Sequence, residues 1–177
     1  MDEERSQRRE RWCSSSRRIL RPVRIITIAQ FQNSKMQIIL EPIAIVRNSG
    51  TKVDDRWGGV ESTIELLPRF GPDALLGIDE FSHLEILFSF DRIDPRTIVE
   101  SSRHPRNNPQ WPKVGIFAQR GAVRPNCLGA TIVRLLGCEG RTLRVAELDA
   151  LDGTPVLDIK PVMQEFLPRE PVRQSAW

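Results

Sequence analysis

Side chains that can bind a charged ligand are concentrated in three polar segments of this 177-residue sequence. The first contains Ser82 and His83, the second contains Arg120 and Arg124, and the third contains Asp149. An arginine can fork a carboxylate or a phosphate, a histidine can carry a proton near neutral pH, and a carboxylate can pair with a cation. The two neighbouring arginines therefore favour an anionic ligand group.

Several common catalytic classes are excluded by the sequence pattern. It has no GxGxxG or P-loop motif before a helix, and no GxSxG motif. Three cysteines show no CxxC spacing, and the two histidines add no metal-ligand pair, so no metal site is expected. Unpaired thiols, the lack of a secretory signal and the lack of a long apolar run predict a cytoplasmic protein.

Some of these residues also have purely structural interpretations. His83 is equally consistent with a hydrogen-bonded residue at a sheet edge, and Arg124-Pro125-Asn126 with a turn. Trp57 and Trp111 lie in polar loops, where a tryptophan either stacks on a base or covers a core edge or a dimer contact.

Short apolar segments separated by turn residues predict a mainly β fold, a small barrel or sandwich with short helical turns. In residues 83–90, Leu84, Ile86 and Phe88 alternate with polar residues, which indicates a strand with one buried face. Pro42 in the first segment is typical of an edge strand. The predicted strands cover residues 37–46, 62–67, 83–90, 113–118, 131–136, 142–148 and 155–159.

Charge divides the chain into two parts. Residues 1–35 hold nine basic and four acidic residues, whereas the formal charge of the whole chain is +3. The regular apolar pattern begins only after Met36. We therefore expect residues 1–36 to form a basic, disordered extension and residues 37–177 to form one domain.

Three ordered motifs carry a resemblance to a known family. They are Phe81-Ser82-His83-Leu84, then residues 115–129 (GIFAQRGAVRPNCLG), then residues 148–161 (LDALDGTPVLDIKP). At these motifs the chain resembles the TsaA-like, or TrmO, family. Characterised members use S-adenosylmethionine to methylate N6 of threonylcarbamoyladenosine at position 37 of certain tRNAs. The resemblance implies a β-barrel methyltransferase outside the Rossmann class, a tRNA substrate, and a homodimer with its cofactor sites near the subunit interface.

The resemblance also implies which residues form the site. His83 is the only imidazole near the motifs and is the candidate to accept the proton of the methylated amine. The expected cofactor contacts are Asn48, Ser49, Gly50, Ser82, His83, Arg120, Arg124, Leu148, Asp149, Ala150 and Leu151. The expected substrate contacts are Arg103, Arg106, Lys113, Asn126 and Asp152.

Departures from the family pattern leave the acceptor open. Many members have Pro-Arg-Gln where this chain has Gly59-Val60-Glu61, and many have Ser-Pro-Phe where it has Gly121-Ala122-Val123. Two alternatives therefore stand beside a tRNA methyltransferase. One is a methyltransferase that acts on a small molecule, and the other is a non-catalytic dimeric module that binds S-adenosylmethionine.

Overall fold

A computed structural model describes residues 38–49 and 59–177 of the chain. The predicted extension at residues 1–36, the predicted cofactor contact Gly50 and Trp57 lie outside these described residues. Within them, no helix is long and apolar enough to cross a membrane.

The mainly β prediction is confirmed, because six strands form a closed antiparallel barrel in the order β1-β2-β7-β6-β3-β8. A separate two-stranded sheet pairs β4 with β5. The strands are β1 (Ala44–Arg47), β2 (Glu61–Leu66), β3 (His83–Ser89), β4 (Ser102–Arg103), β5 (Val114–Gly115), β6 (Leu128–Glu139), β7 (Thr142–Ala146) and β8 (Pro155–Pro161). Short 3₁₀ helices span Pro72–Leu75, Ile78–Glu80, Pro95–Thr97, Pro105–Asn107, Ile116–Ala118 and Gln164–Phe166.

The barrel interior is filled by alternate residues of the strands. In β3, Leu84, Ile86 and Phe88 are buried, as the alternation predicts. Phe88 lies opposite Gly129 of β6, and a Cβ atom on Gly129 would come within 2.3 Å of the Phe88 ring. Glycine at this position therefore makes room for the largest buried side chain of the core.

Two strand predictions are wrong. β1 begins after Pro42 and pairs with both β2 and β8, so it is not an edge strand, because closing the barrel gives every strand two neighbours. The strand predicted at residues 113–118 is limited to Val114–Gly115. Its backbone then curls into a 3₁₀ turn, in which the Gln119 N–H donates to the Ile116 carbonyl.

Three connections leave the barrel at one end, where β1, β3 and β7 finish and β2, β6 and β8 begin. We call this the loop end; the described parts of its connections are residues 48–49, 59–60, 90–127 and 147–154. All the non-glycine residues with positive φ in the described part of the chain lie in these connections; they are Arg106, Asn107, Cys127 and Glu147. Backbone strain of this kind is often found at functional sites, which makes the loop end a candidate location for one.

Candidate functional site at the loop end

Residues 147–154, which we call the mouth segment, cross the loop end of the barrel. They join β7 to β8, and these strands lie on opposite sides of the six-stranded ring. Leu148 is only 1% exposed and belongs to the core, so its side chain plugs the barrel interior. Any ligand contact by Leu148 must therefore use its backbone.

Hydrogen bonds to β1 fix the mouth segment. The Gly153 N–H donates to the Val46 carbonyl over 2.8 Å, and the Val46 N–H donates to the Thr154 carbonyl over 3.0 Å. Asn48, immediately after β1, donates from Nδ2 to Ser62 Oγ (3.0 Å) and to the Ala150 carbonyl (2.9 Å). Because both Nδ2 hydrogens are engaged in this way, Asn48 positions the mouth segment.

Asp152 joins the same network. Its Oδ1 accepts from the Asn48 N–H over 3.3 Å, and its carbonyl accepts from the Arg92 guanidinium. Arg92 also lies close to Gly153, where an added Cβ would be 3.1 Å from its Nη2 atom. The structure thus brings together the predicted residues Asn48, Ala150 and Asp152.

The mouth segment is acidic. Glu147, Asp149 and Asp152 are its ionisable side chains, and it contains no lysine or arginine. Asp149 and Asp152 are half-buried. A strand-end segment that carries only negative side-chain charge is suited to a cationic ligand group and to ligand hydroxyls.

Residues 90–127, which we call the basic connection, carry the opposite charge. They hold seven basic and three acidic residues. The buried amide of Gln119 organises this region, because its Nε2 donates to the carbonyls of Arg103 and Val114, each over 3.1 Å. One of these carbonyls belongs to β4 and the other to β5, so the Gln119 side chain links the two strands.

Carbonyl groups hold most of the arginines in the basic connection. Arg124 donates from Nη1 to the carbonyls of Ile116 (3.2 Å) and Gln119, and Arg120 donates to the Ala130 carbonyl. A carbonyl orients a guanidinium without neutralising it, so these side chains keep their charge. The Nε–Nη2 edge of Arg124 has no hydrogen-bond partner among residues 38–49 and 59–177, and such an edge can bind a carboxylate bidentately.

Arg96 differs from Arg120 and Arg124, because it binds a carboxylate instead of carbonyl groups. Its guanidinium forms an ion pair with Asp94 at 2.6 Å, and the hydrogen bond to that carboxylate raises the pKa of Arg96. The pair leaves little net charge at this exposed position. Arg96 therefore provides a natural control for the carbonyl-bound arginines.

The remaining predicted substrate contacts lie on the surface of the basic connection. Arg106, Lys113 and Asn126 are exposed, and Arg103 is half-buried, with its guanidinium donating to Asn107 Oδ1 over 2.7 Å. Trp111 is half-buried, and its carbonyl lies 2.6 Å from Nδ1 of His104.

Ser82 and His83 form a separate pair at the start of β3. Ser82 Oγ lies 2.9 Å from Nδ1 of His83, and both residues are exposed. The register places His83 opposite Arg134 of β6, and Arg134 opposite Ala146 of β7. His83 therefore lies two strands away from the point where the mouth segment begins, and it is linked to that segment through the sheet.

Sequence reasoning missed Arg92, Ser62 and Gln119. All three act through contacts distant in sequence, such as the 60-residue separation between Arg92 and Asp152. The motif GIFAQR did single out the segment that contains Gln119, but not the two carbonyls that it binds. Ser49 and Leu151 are exposed and half-buried, respectively, and their predicted roles stay predictions.

A metal centre is not evident in the described ranges, where no group of three His, Cys, Asp or Glu side chains is suitably placed. The site is thus assembled from hydrogen-bonding and charged groups. Its two contrasting elements, the acidic mouth segment and the basic connection, start from the same end of the barrel.

Known proteins resemble this chain over most of the barrel. The sequence profile described as tRNA-methyltransferase O N-terminal domain matches residues 52–166. A protein of Methanothermobacter thermautotrophicus described as a probable S-adenosyl-L-methionine-binding protein is 36% identical over 138 residues, which are 75% of this chain and 96% of that protein. One of Pyrococcus abyssi with the same description is 42% identical over 115 residues, covering 64% of this chain and 59% of its own length.

Further similarities involve longer proteins. A mouse tRNA (adenine(37)-N6)-methyltransferase is 39% identical over 93 residues, 52% of this chain and 21% of that protein. The crystal structure of TrmO from Pseudomonas aeruginosa superposes with a TM-score of 0.64 at 31% identity, covering 80% of this chain and 63% of that chain. This chain therefore spans less than two thirds of the length of several relatives.

Proposed function

Because this chain belongs to the tRNA-methyltransferase O N-terminal domain family, we propose that it is an S-adenosylmethionine-dependent methyltransferase that acts on tRNA. The match confirms the family predicted from the three sequence motifs. The proposed acceptor is N6 of threonylcarbamoyladenosine at position 37. Adenine N6 at position 37 is the target named for the mouse relative.

One observation carries the proposal. The family match runs from residue 52 to residue 166, so it includes both the mouth segment and the basic connection. These are the two elements of the loop end whose charges suit a cationic cofactor and an anionic nucleic acid.

The residues of the loop end fit S-adenosylmethionine by their chemistry. The cofactor has a sulfonium and an ammonium group, a carboxylate, ribose hydroxyls and an adenine edge. The carboxylates of Asp149 and Asp152 complement the cationic groups and the hydroxyls, and the Nε–Nη2 edge of Arg124 complements the carboxylate. The carbonyls of Leu148, Ala150 and Leu151 each accept one hydrogen bond within the protein, and the second lone pair of each can accept one from an adenine amino group. When bound, S-adenosylmethionine supplies the transferred methyl group.

His83 is the proposed proton acceptor. Methylation of N6 releases the proton of that nitrogen, and a base is useful because a carbamoylated amine is a poor nucleophile. When Nδ1 of His83 carries hydrogen and donates to Ser82 Oγ, Nε2 presents its lone pair. The remaining contribution of the protein is to align the acceptor with the methyl group and to exclude water.

The basic connection supports tRNA as the substrate. Arg103, Arg120 and Arg124 are held by uncharged groups and keep a positive charge, and Arg106 and Lys113 are exposed nearby in sequence. Phosphate binding by such cations gives affinity that falls steeply with salt.

A homodimer in the cytoplasm completes the proposal. Leu128 and Ile132, on the outer side of β6, are 38% and 51% exposed, which supports an apolar contact between subunits. Cys127 and Cys138 are free thiols in the described part of the chain, in agreement with a reducing compartment.

Two measurements test the function. Calorimetry with S-adenosylmethionine should show binding, and incubation with tRNA that carries threonylcarbamoyladenosine should yield the N6-methylated nucleoside in mass spectrometry. Substituting His83→Asn should lower the turnover rate by a larger factor than the cofactor affinity, because His83 is both the proposed proton acceptor and an expected cofactor contact. Cofactor binding with methyl transfer only to a small molecule would favour that alternative, and binding without any turnover would favour a non-catalytic module.

A further inference from the structure

Phe117 is an unusual aromatic side chain within the basic connection. It is 74% exposed, although the residue before it, Ile116, is only 1% exposed. Placing a phenyl ring in water gives up the stability that its burial would provide, so an exposed ring on a rigid segment indicates a contact with another molecule.

The backbone that carries Phe117 is fixed on both sides. Ile116 donates its N–H to the Ser101 carbonyl over 2.8 Å, and Gln119 is buried and hydrogen-bonded to two carbonyls. Phe117 lies between them, within the 3₁₀ turn Ile116–Ala118. The exposed ring therefore stands on an ordered support.

Arg124 lies over one face of the ring. Its Cζ atom is 5.5 Å from the centre of the Phe117 ring, and carbonyls of the same turn hold its Nη1. A guanidinium on one face fixes the ring orientation and leaves the other face for a second planar group. An aromatic ring backed by arginine, in a connection that is rich in basic residues, is a common arrangement in proteins that bind unpaired nucleotides.

We propose that Phe117 is a stacking platform for an unpaired base of the tRNA substrate, with Arg124 on one face of the ring and the base on the other. This inference rests on the proposed function. Bases of an anticodon loop are unpaired and can leave their stack, whereas the bases of a duplex cannot reach such a ring. Guanidinium groups of the same connection, those of Arg103 and Arg120, would bind the phosphates on either side.

Phe117 variants test this assignment, with Phe166→Ala as the matched control. Phe166 is 83% exposed and also lies in a 3₁₀ turn, but no arginine is stacked on it within the described ranges. The affinity for an anticodon stem–loop RNA is measured by fluorescence anisotropy at several salt concentrations. Calorimetry with S-adenosylmethionine and sedimentation of the full chain accompany it.

Phe117→Ala and Phe117→Leu should each weaken RNA binding by about ten- to hundredfold, because neither side chain stacks on a base. Phe117→Trp should retain affinity, and RNA binding should quench its fluorescence more than that of the parent protein. The slope of affinity against salt should stay the same in all variants, since no phosphate contact is removed. Phe166→Ala should bind RNA like the parent.

Four outcomes would overturn the inference. Unchanged RNA affinity in Phe117→Ala, in a protein that methylates tRNA, would remove the stacking role and leave the proposed function intact. Full affinity in Phe117→Leu would show an apolar contact without stacking. Dissociation of a dimer by Phe117→Ala, with RNA affinity unchanged per subunit, would assign the ring to a second copy of the chain. If the parent protein bound no tRNA and methylated none, the proposed function and this inference would fall together.

Discussion

The mouth segment and the basic connection leave the same end of the barrel but differ in charge. The mouth segment, residues 147–154, has three acidic residues and no basic ones, whereas the basic connection, residues 90–127, has seven basic and three acidic residues. Opposite charges on adjacent connections favour two ligand groups of opposite sign. A cationic cofactor and a polyanionic substrate are such a pair.

The two connections are also held in different ways. Backbone bonds to β1 and the side-chain amide of Asn48 fix the mouth segment, and among its side chains the Asp152 carboxylate adds one bond, from the Asn48 N–H. In the basic connection, side chains of arginine and glutamine bind backbone carbonyls. Here the charged residues support the fold and are also proposed to bind a ligand, so we expect their substitution to affect both.

Arg124 should give the largest effect, because its Nε–Nη2 edge is assigned to the carboxylate of the cofactor. Arg124→Ala should weaken S-adenosylmethionine binding about ten- to hundredfold, which corresponds to about 1.5–3 kcal/mol for a lost charge-assisted hydrogen bond. Calorimetry measures this change. Arg96→Ala removes an arginine already paired with Asp94 and should leave the affinity unchanged; equal losses in both variants would contradict the assignment.

Gly129→Ala tests the barrel that supports both connections. A Cβ at this position would meet the buried Phe88 ring at 2.3 Å, so we expect a loss of about 1–3 kcal/mol in unfolding free energy and a melting temperature lower by several degrees. In Gly137→Ala the nearest atom would be 3.7 Å away, and this control should melt like the parent. Similar melting of the two variants would mean that Phe88 repacks without strain.

Arg103 and Arg106 test the basic connection alone. Their double reversal to Glu should reduce tRNA affinity about tenfold at physiological salt, and the salt slope should become shallower by about 1.4–1.8 for two lost phosphate contacts. Affinity for S-adenosylmethionine should not change. Reversing the exposed Arg169 and Arg173 alters the net charge equally and serves as the control. Equal effects of the two double variants would indicate a general charge effect rather than a local phosphate contact.

Substitution of Asp152 should give the smallest change in affinity. In contrast to the Arg103 and Arg106 reversals, it should weaken cofactor binding and not tRNA binding. Asp152→Asn keeps an oxygen for the Asn48 N–H but removes a negative charge, so cofactor affinity should fall about two- to fivefold while tRNA affinity holds or rises slightly. Asp158→Asn removes the charge that pairs with Lys160, keeps an oxygen for the Ile159 N–H, and should change neither affinity. A larger loss of tRNA affinity than of cofactor affinity would place Asp152 with the substrate instead.

The sequence predicted the barrel because its signals are local. The alternation of Leu84, Ile86 and Phe88 and the glycine-bearing turn after β6 need no knowledge of the rest of the chain. The three motifs predicted the family, which the profile match confirms. The roles proposed for His83 and for the cofactor contacts stay predictions until binding and turnover are measured.

Features that depend on closure of the barrel could not be predicted from local sequence patterns. The second neighbour of β1 is β8, which begins more than a hundred residues later in the chain, and Pro42 therefore suggested an edge that does not exist. Likewise, residues 113–118 have a strand-like composition, but the buried Gln119 and the bond from Ile116 to Ser101 turn the backbone away. Tertiary hydrogen bonds override local preference at both places.

Pairing of the first and last barrel strands also has a consequence for biosynthesis. Ala44 of β1 pairs with Val156 of β8, so β1 has only one partner while the residues between them are being translated. During that time the ribosome-bound chain exposes a strand edge that can pair with another nascent chain. Forming this distant contact requires a large loss of conformational entropy, so closure of the barrel is expected to be late and slow. It also depends on the release of residues 155–161 from the exit tunnel.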